Sequence, residues 1–557
     1  MGSHSLLAWA FVLPSLIHAT SPPAGITVSS FAGATTTFAF PPAGQTITVP
    51  DPAFPDGEQV GFPGPTPTGD EAIAIATAPS IAKFTNVFPL INPATSNPNS
   101  KAPFDVLHHF GNLAPWQSLS SAWLSARLAN ASPKIPAGCQ LDQVHLVHRH
   151  GARYPTTGAP PSAFAAALHA VAQAGNLTVT GPLSFLATWE YKLGAEILTP
   201  FGRSQLFDLG VGFRVKYGDL LKGFTKLPVW RTTSQGRMLD SALHFAAGFF
   251  GVQTYQQDYH QLIQIEQLGF NSTLSPYYDC TNGINDHSNF GTTQALKWAN
   301  VYLAPAVKRL QPFIKGLPLT PSILFAMQQL CAYETVALGY STFCPLFTDD
   351  EWTGYSYGND LAFWYSFGPG NPTTSAQGIG YAQELLSRLT QTRITKFDTS
   401  INASIATNET LFPFGQPIYV DATHDTIISA ILTAMNFTAL AAEGPLPTDH
   451  IPPNHVYIVN NVAPFASNIV TQVLTCPAPA TPSANTKPTH IRMILNDAVL
   501  PLTGLAGCQP NSDGTCPLDT FVSALQKRIG EVDYQFDCFA NYSIPDPDPI
   551  VNGQFPQ

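Results

Sequence analysis

Four short apolar runs lie far apart in the chain: Leu141 to Val147, Leu227 to Trp230, Pro417 to Val420, and His490 to Leu495 with its Ile491/Met493/Leu495 alternation. Period-two or continuous apolar runs of this length read as strands. The intervals carry helical patterns: Phe164 to Ala174, Gly202 to Tyr217, Gln235 to Phe250, Gln294 to Phe313, Gly378 to Leu389 and Thr426 to Met435. Strands separated by helices along a chain restrict the fold to the α/β class. The core is expected over about 104–270 and 408–557. The helix-rich stretch 271–407 reads most simply as a cap inserted into it.

The first hundred residues have a different texture. Leu6 to Ile17 is a short apolar run ending in the small residues Ala19, Thr20 and Ser21, so residues 1–20 are expected to be a signal peptide. No Lys or Arg precedes the run, which leaves an uncleaved anchor as the alternative. Residues 21–103 are rich in Pro, Thr, Ala, Gly and Ser, with phrases such as Pro63-Gly64-Pro65-Thr66-Pro67, and read as an extension with little chemistry of its own. Asn-x-Ser/Thr sequons at Asn130, Asn176, Asn271, Asn402, Asn408, Asn436 and Asn541 are expected to carry N-glycans, and eight cysteines suit an oxidising compartment. A secreted, extracellular protein is expected, or one held at a cell wall or vacuole, with no stable membrane insertion. Charged residues are only 11% of the chain and its net charge is −11. Nucleic acid is therefore excluded as a partner, and an anionic substrate must be captured by a few local arginines.

Three strand-ends carry unusual residues. The first strand runs out through His145, His148, Arg149 and His150 into Gly151-Ala152-Arg153-Tyr154-Pro155. In α/β proteins ligands bind in the crevice beyond the carboxyl ends of the strands, and a glycine there lets the backbone approach an anion closely. The second is Val229-Trp230-Arg231, with Arg237 further on. The third is Tyr419-Val420-Asp421-Ala422-Thr423-His424-Asp425. Guanidinium forks match phosphate oxygens, an imidazole can attack phosphorus, and a carboxylic acid can protonate a leaving alcohol. His145, His148 and His150 also invite a metal reading, but Arg149 and Arg153 would repel a dication. Arg231 has a salt-bridge partner as its structural alternative, Arg237 a helix cap or surface pair. The aromatic run Phe363-Trp364-Tyr365 reads as core.

The run Arg149-His150-Gly151-Ala152-Arg153-Tyr154-Pro155-Thr156, followed far along by His424-Asp425, resembles the histidine acid phosphatases, most closely the fungal phytase-like branch. The likeness extends from about Cys139 to Phe539 and takes in Phe347-Thr348-Asp349-Asp350-Glu351-Trp352, Gly370-Asn371-Pro372, Gln377-Gly378-Ile379-Gly380-Tyr381, and Asn496-Asp497 followed by Pro501-Leu502. It implies a phosphoglycerate-mutase-like α/β sandwich with an inserted helical cap. It implies His150 as nucleophile, Asp425 as proton donor, and Arg149, Arg153, Arg231 and His424 as a phosphate clamp, with no metal or other cofactor. It also implies disulfides joining Cys139 to Cys476, Cys280 to Cys538, Cys331 to Cys344 and Cys508 to Cys516.

Within that resemblance the substrate is the open question. Some phytases place lysines around the pocket. Here Thr156 to Ser162 holds none, and the pair that precedes Gly-Asn-Pro in those enzymes falls on Ala362-Phe363. The expectation is accordingly a secreted acid phosphatase acting on small phosphomonoesters, with phytate hydrolysis as the alternative. A phosphomutase fits less well with secretion and disulfides. A catalytically silent wall-associated binding protein would keep the fold without needing nucleophile, clamp and donor together.

Overall fold

The expected strand at Leu141 to Val147 becomes the ten-residue β1, Gln140–Arg149, whose last six residues are buried. The computed structural model describes residues 104–284, 286–478, 487–546 and 549–556; the expected signal peptide and N-terminal extension lie outside them. The further strands are β2 (Val229–Thr233), β3 (His260–Gln264), β4 (Ile418–Thr423), β5 (Asn468–Thr475), β6 (His490–Leu495), β7 (Ala498–Val499) and β8 (Cys516–Pro517). They form one sheet in the order β8-β6-β5-β1-β4-β2-β3, with β7 paired to β6. β1 runs parallel to β4 and antiparallel to β5, and β2 runs parallel to both β4 and β3. The register sets Arg149 beside Thr423, and His150 N donates to Thr423 O at 3.2 Å. Parallel pairing thus brings His150 and His424, remote in sequence, to the same end of the sheet.

Helices cover both faces. They are α1 (Pro160–Gln173), α2 (Pro200–Tyr217), α3 (Gly236–Phe250), α4 (Asp286–Tyr302), α5 (Pro321–Leu338), α6 (Asp349–Phe367), α7 (Thr374–Thr390), α8 (Asp425–Ala434) and α9 (Leu518–Glu531). Because side chains alternate across a strand, Val144 and Leu146 of β1 face α2 and α3, packing with Leu206, Phe213, Leu239 and Phe245. Val147 faces the other way, into a core built with Leu361, Ile379, Ile427 and Leu525 from α6, α7, α8 and α9. The result is an α/β sandwich.

The cap expected over 271–407 is not one unit. α5 packs with α1 and the segment 106–114 in a separate cluster holding Phe164, Leu168, Leu324, Leu330 and Phe343. α7 and the C-terminal half of α6 instead lie on the sheet. The reason is burial all round: almost every residue of α6 from Trp352 to Ser366 is buried, so this helix is part of the core rather than a lid. The eight cysteines pair as Cys139–Cys476, Cys280–Cys538, Cys331–Cys344 and Cys508–Cys516. No described helix is long and apolar enough to cross a membrane. Among the sequon asparagines, Asn130, Asn176, Asn271, Asn408 and Asn541 are exposed, and Asn402 and Asn436 are half-buried.

Candidate active site

At the end of β1 the backbone turns through Gly151 beneath the start of α2. A Cβ on Gly151 would lie 2.1 Å from Gly202 O, and one on Gly202 would lie 1.9 Å from Ala152 O. Two glycines therefore let a loop and a helix touch backbone to backbone. Thr199 caps that helix, accepting from Gly202 N at 3.0 Å.

His150 is buried in this turn, 1% exposed. Its Nδ1 lies 2.8 Å from Gly151 O. A carbonyl only accepts, so Nδ1 carries the proton and Nε2 keeps a free lone pair. Burial first, and then the positive charges of Arg149, Arg237, Arg153 and His424, hold the imidazole far below its ordinary pKa. The ring is thus a neutral base even in acid.

Asp425, the first residue of α8, faces Arg149. Arg149 Nη2 lies 2.7 Å from Asp425 Oδ2, and Asn112 Nδ2 donates to the same oxygen at 2.9 Å. Oδ1 accepts from Thr426 N at 2.9 Å. Burial alone would raise this carboxyl, but Arg149, the Asn112 hydrogen bond, Arg153 and His424 together hold it below the usual carboxylate value. Arg149 is itself fixed by the carbonyls of Asn112 and Ala463 and by the Phe465 ring 4.5 Å away.

His424 stands next to Asp425, its ring 5.7 Å from that of His150. Its Nε2 lies 2.9 Å from Glu266 Oε2. Glu266 also accepts from Thr233 Oγ1 at 2.6 Å and from the Tyr277 hydroxyl. Arg153 hydrogen bonds to Tyr333 of α5, so a helix outside the sheet core touches the cation cluster. The Nε groups of Arg149, Arg153 and Arg237 are buried and make no hydrogen bond. Buried donors of this kind are normally paired, and the arrangement suits an anion with several oxygens.

One expected clamp residue is elsewhere. β2 continues two residues past Arg231, so this side chain projects from the sheet face and not from its end. There Arg231 Nε pairs with Asp421 Oδ1 at 2.6 Å and its Nη2 with Glu384 Oε2 at 2.8 Å, while Arg388 Nη1 holds Asp421 Oδ2 at 2.6 Å. Two arginines and two carboxylates close a buried network on the α7 side. Of Arg231 and Arg237 it is Arg237, in the first turn of α3, whose charge acts on His150.

The two histidines of β1 are core. His148 stacks on Phe245 of α3 and His145 on Tyr419, and burial pushes them down to about 4 and about 3. Ala362 and Phe363, used above as a gauge of pocket lysines, are 3% and 1% exposed inside α6. Lysine there would bury an unpaired charge. Their apolar character reports packing and says nothing of the pocket. Asn112, Glu266 and Tyr333 had no sequence signal, because each gains its meaning only from a partner distant in the chain.

A family model, histidine phosphatase superfamily (branch 2), matches residues 140–496. Phytase A of Aspergillus awamori is 30% identical over 434 residues, 75% of this chain and 87% of that protein. Phytase A of Arthroderma benhamiae is 31% identical over 425 residues, 75% and 89% of the two chains. Among solved structures, the phytase from D. castellii superposes with a TM-score of 0.62 at 25% identity, covering 80% of this chain and 92% of that one. A Bifidobacterium longum multiple inositol polyphosphate phosphatase, in complex with inositol hexasulfate, shares the fold at a TM-score of 0.53 and 14% identity over 75% and 97% of the chains. The turn that buries a neutral imidazole among arginines lies within the matched span, and the chain belongs to the histidine phosphatase superfamily, branch 2, whose members hydrolyse phosphoric monoesters.

Proposed function

We propose that the chain hydrolyses inositol phosphates, phytate among them, through a phosphohistidine on His150, and that it does so outside the cell. The observation that carries the chemistry is the locked tautomer: Nδ1–H on Gly151 O leaves Nε2 as an unprotonated nucleophile between cations. Relatives named phytase favour inositol phosphates, and the argument from missing lysines loses half its weight once Ala362 and Phe363 are buried. The secretory route is supported by the sequons, the four disulfides and the apolar N-terminal run.

In this reading Arg149, Arg153, Arg237 and His424 hold the phosphoryl oxygens and the charge that develops on them. His150 Nε2 attacks phosphorus, the P–O ester bond breaks, and Asp425 gives its proton to the departing alkoxide. Asp425, now a carboxylate, takes a proton from water as that water attacks phosphorus and the P–Nε2 bond breaks. Phosphate leaves and Nε2 regains its lone pair. Asp425 is held ionised in the free enzyme by Arg149 and Asn112. An arriving phosphoryl group shares those cations and adds negative charge beside the carboxyl, lifting its pKa as the proton is needed.

The second reading, a phosphatase of small monoesters, is favoured by the absence of lysine between Pro155 and Lys192. Steady-state hydrolysis of phytate and of a small alkyl phosphate, by wild type and by His150→Ala, tests both. Turnover of phytate at least as efficient as that of the alkyl ester, lost in the variant, is the expected result. Turnover of the alkyl ester alone would leave the second reading standing, and activity surviving in the variant would remove His150 as nucleophile.

A further inference from the structure

The loop after Tyr191 carries an unusual residue beside the cation cluster. Glu196 is not glycine, yet its φ is +71°. An L side chain rarely adopts this left-handed region, and such outliers cluster where function over-determines the backbone. Its backbone N donates to Pro155 O at 3.0 Å, and the neighbouring Ile197 O accepts from Tyr154 N at 3.0 Å. These bonds lash the segment to the turn that carries His150. Both carboxylate oxygens are engaged: Oε1 accepts from Thr157 N at 2.9 Å, and Oε2 meets Arg237 Nη1 at 2.8 Å.

This carboxylate is more exposed than Arg237, the cation it pairs with, and than Arg149. The Glu196 side chain is 19% exposed, that of Arg237 11% and that of Arg149 0%. Its charge also acts on Arg153 and on Tyr278. A single phosphate seated at His150 is screened from it by Arg237. Groups on the same substrate molecule that project towards solvent are not, and a neighbouring phosphate would lie on the carboxylate's side of the arginine.

We propose that Glu196 is a specificity-determining residue, whose fixed carboxylate disfavours substrates bearing phosphates beside the one being cleaved. The inference rests on the assignment of inositol phosphates as substrates. It adds that this site ranks them by charge: lower inositol phosphates and isolated monoesters gain relative to the hexakisphosphate. Glu196 does not touch the reacting atoms, and its effect falls on binding.

Two variants separate charge from structure. Glu196→Gln removes the charge and keeps the size. Glu196→Gly removes the side chain and relieves the left-handed backbone, so its folding is not compromised. In both, the ratio of kcat/KM for phytate to that for a small alkyl phosphate is expected to rise about three- to tenfold at low ionic strength, through KM, and the gain should shrink with added salt. A parallel fall for both substrates would mean that Glu196 only positions Arg237, and an unchanged ratio would mean that its charge is not felt; either overturns the proposal. If the wild type fails to turn over phytate, the substrate assignment falls separately. The inhibition constant of phytate against alkyl phosphate hydrolysis then takes the place of KM, with the same direction expected in both variants.

Discussion

Asn112 offers the sharpest test of how the proton donor is tuned. Its amide donates to Asp425 Oδ2 at 2.9 Å, the oxygen that Arg149 Nη2 approaches at 2.7 Å. In Asn112→Ala the amide goes, while the backbone carbonyl that holds Arg149 stays. A hydrogen bond to a charged group is worth about 1.5–3 kcal/mol. Arg149 remains on the same oxygen and water refills part of the gap, so roughly half of that, about 1 kcal/mol, is lost from the ionised form. At about 1.36 kcal/mol per pH unit this raises the carboxyl by roughly 0.7 units. The sign follows from the native arrangement: Asp425 is held below its ordinary value, Asn112 is one of the causes, and removing it moves the group up. The donor then keeps its proton to higher pH, and the alkaline limb of kcat/KM should move up by about 0.5–1 unit. The substrate's own ionisation is common to both enzymes and cancels. The shift should be larger in consequence for an alkyl ester, whose leaving group needs the proton, than for a nitrophenyl ester. A limb that stays in place or moves down would refute Asp425 as donor or Asn112 as its tuner.

Three further outcomes are expected. Arg237→Ala should lower kcat/KM about 10²- to 10³-fold with little change in Tm. Arg231→Ala should instead leave Glu384 buried without its arginine and Asp421 with Arg388 alone, and cost on the order of 3 kcal/mol of stability by thermal unfolding; the opposite pattern would return Arg231 to the pocket. His148 titrates near 4 in the fold because burial opposes its charge, against 6.5 in the unfolded chain. The unfolded chain therefore binds the proton first, so stability is full above about pH 6.5 and falls by on the order of 3 kcal/mol as pH drops towards 4. His148→Phe, stacked on Phe245, should show a smaller drop in Tm between pH 7 and 4; an equal drop would place the acid sensitivity elsewhere.

What could be read from the chain depended on whether a signal was local. Arg149-His150-Gly151 and His424-Asp425 are contiguous, and each sits where a strand ends, the one at a turn and the other at a helix start, so the nucleophile and donor candidates stood out. The choice between Arg231 and Arg237 turned on where β2 ends. The apolar run stops at Trp230, but Arg231, Thr232 and Thr233 remain in the strand and buried, Arg231 and Thr233 bonded to partners found far along the chain. α5 and α6 escaped notice for the opposite reason. They are buried on nearly every side, polar residues such as Gln328, Glu334, Asn359 and Asp360 included, and a helix buried all round has no stripe to betray its period. β5 likewise mixes Thr and Gln with Val and Leu, and is buried throughout. Asn112 lies in a short 3-10 turn, and nothing near it announces a carboxylate more than three hundred residues away.

The contact of Gly151 with Gly202 has a mechanical meaning. With backbone against backbone there is no side chain to flex between the reactive turn and an eighteen-residue helix, so the two behave as one casting. The floor of the site has no adjustable parts. Its fittings do: Asn112, Glu196 and Tyr333 arrive on a 3-10 turn, a loop and a helix outside the sheet core, each held by a few hydrogen bonds. Attempts to alter which ester is taken should therefore be directed at those fittings. Substitutions in the casting will trade chemistry for nothing.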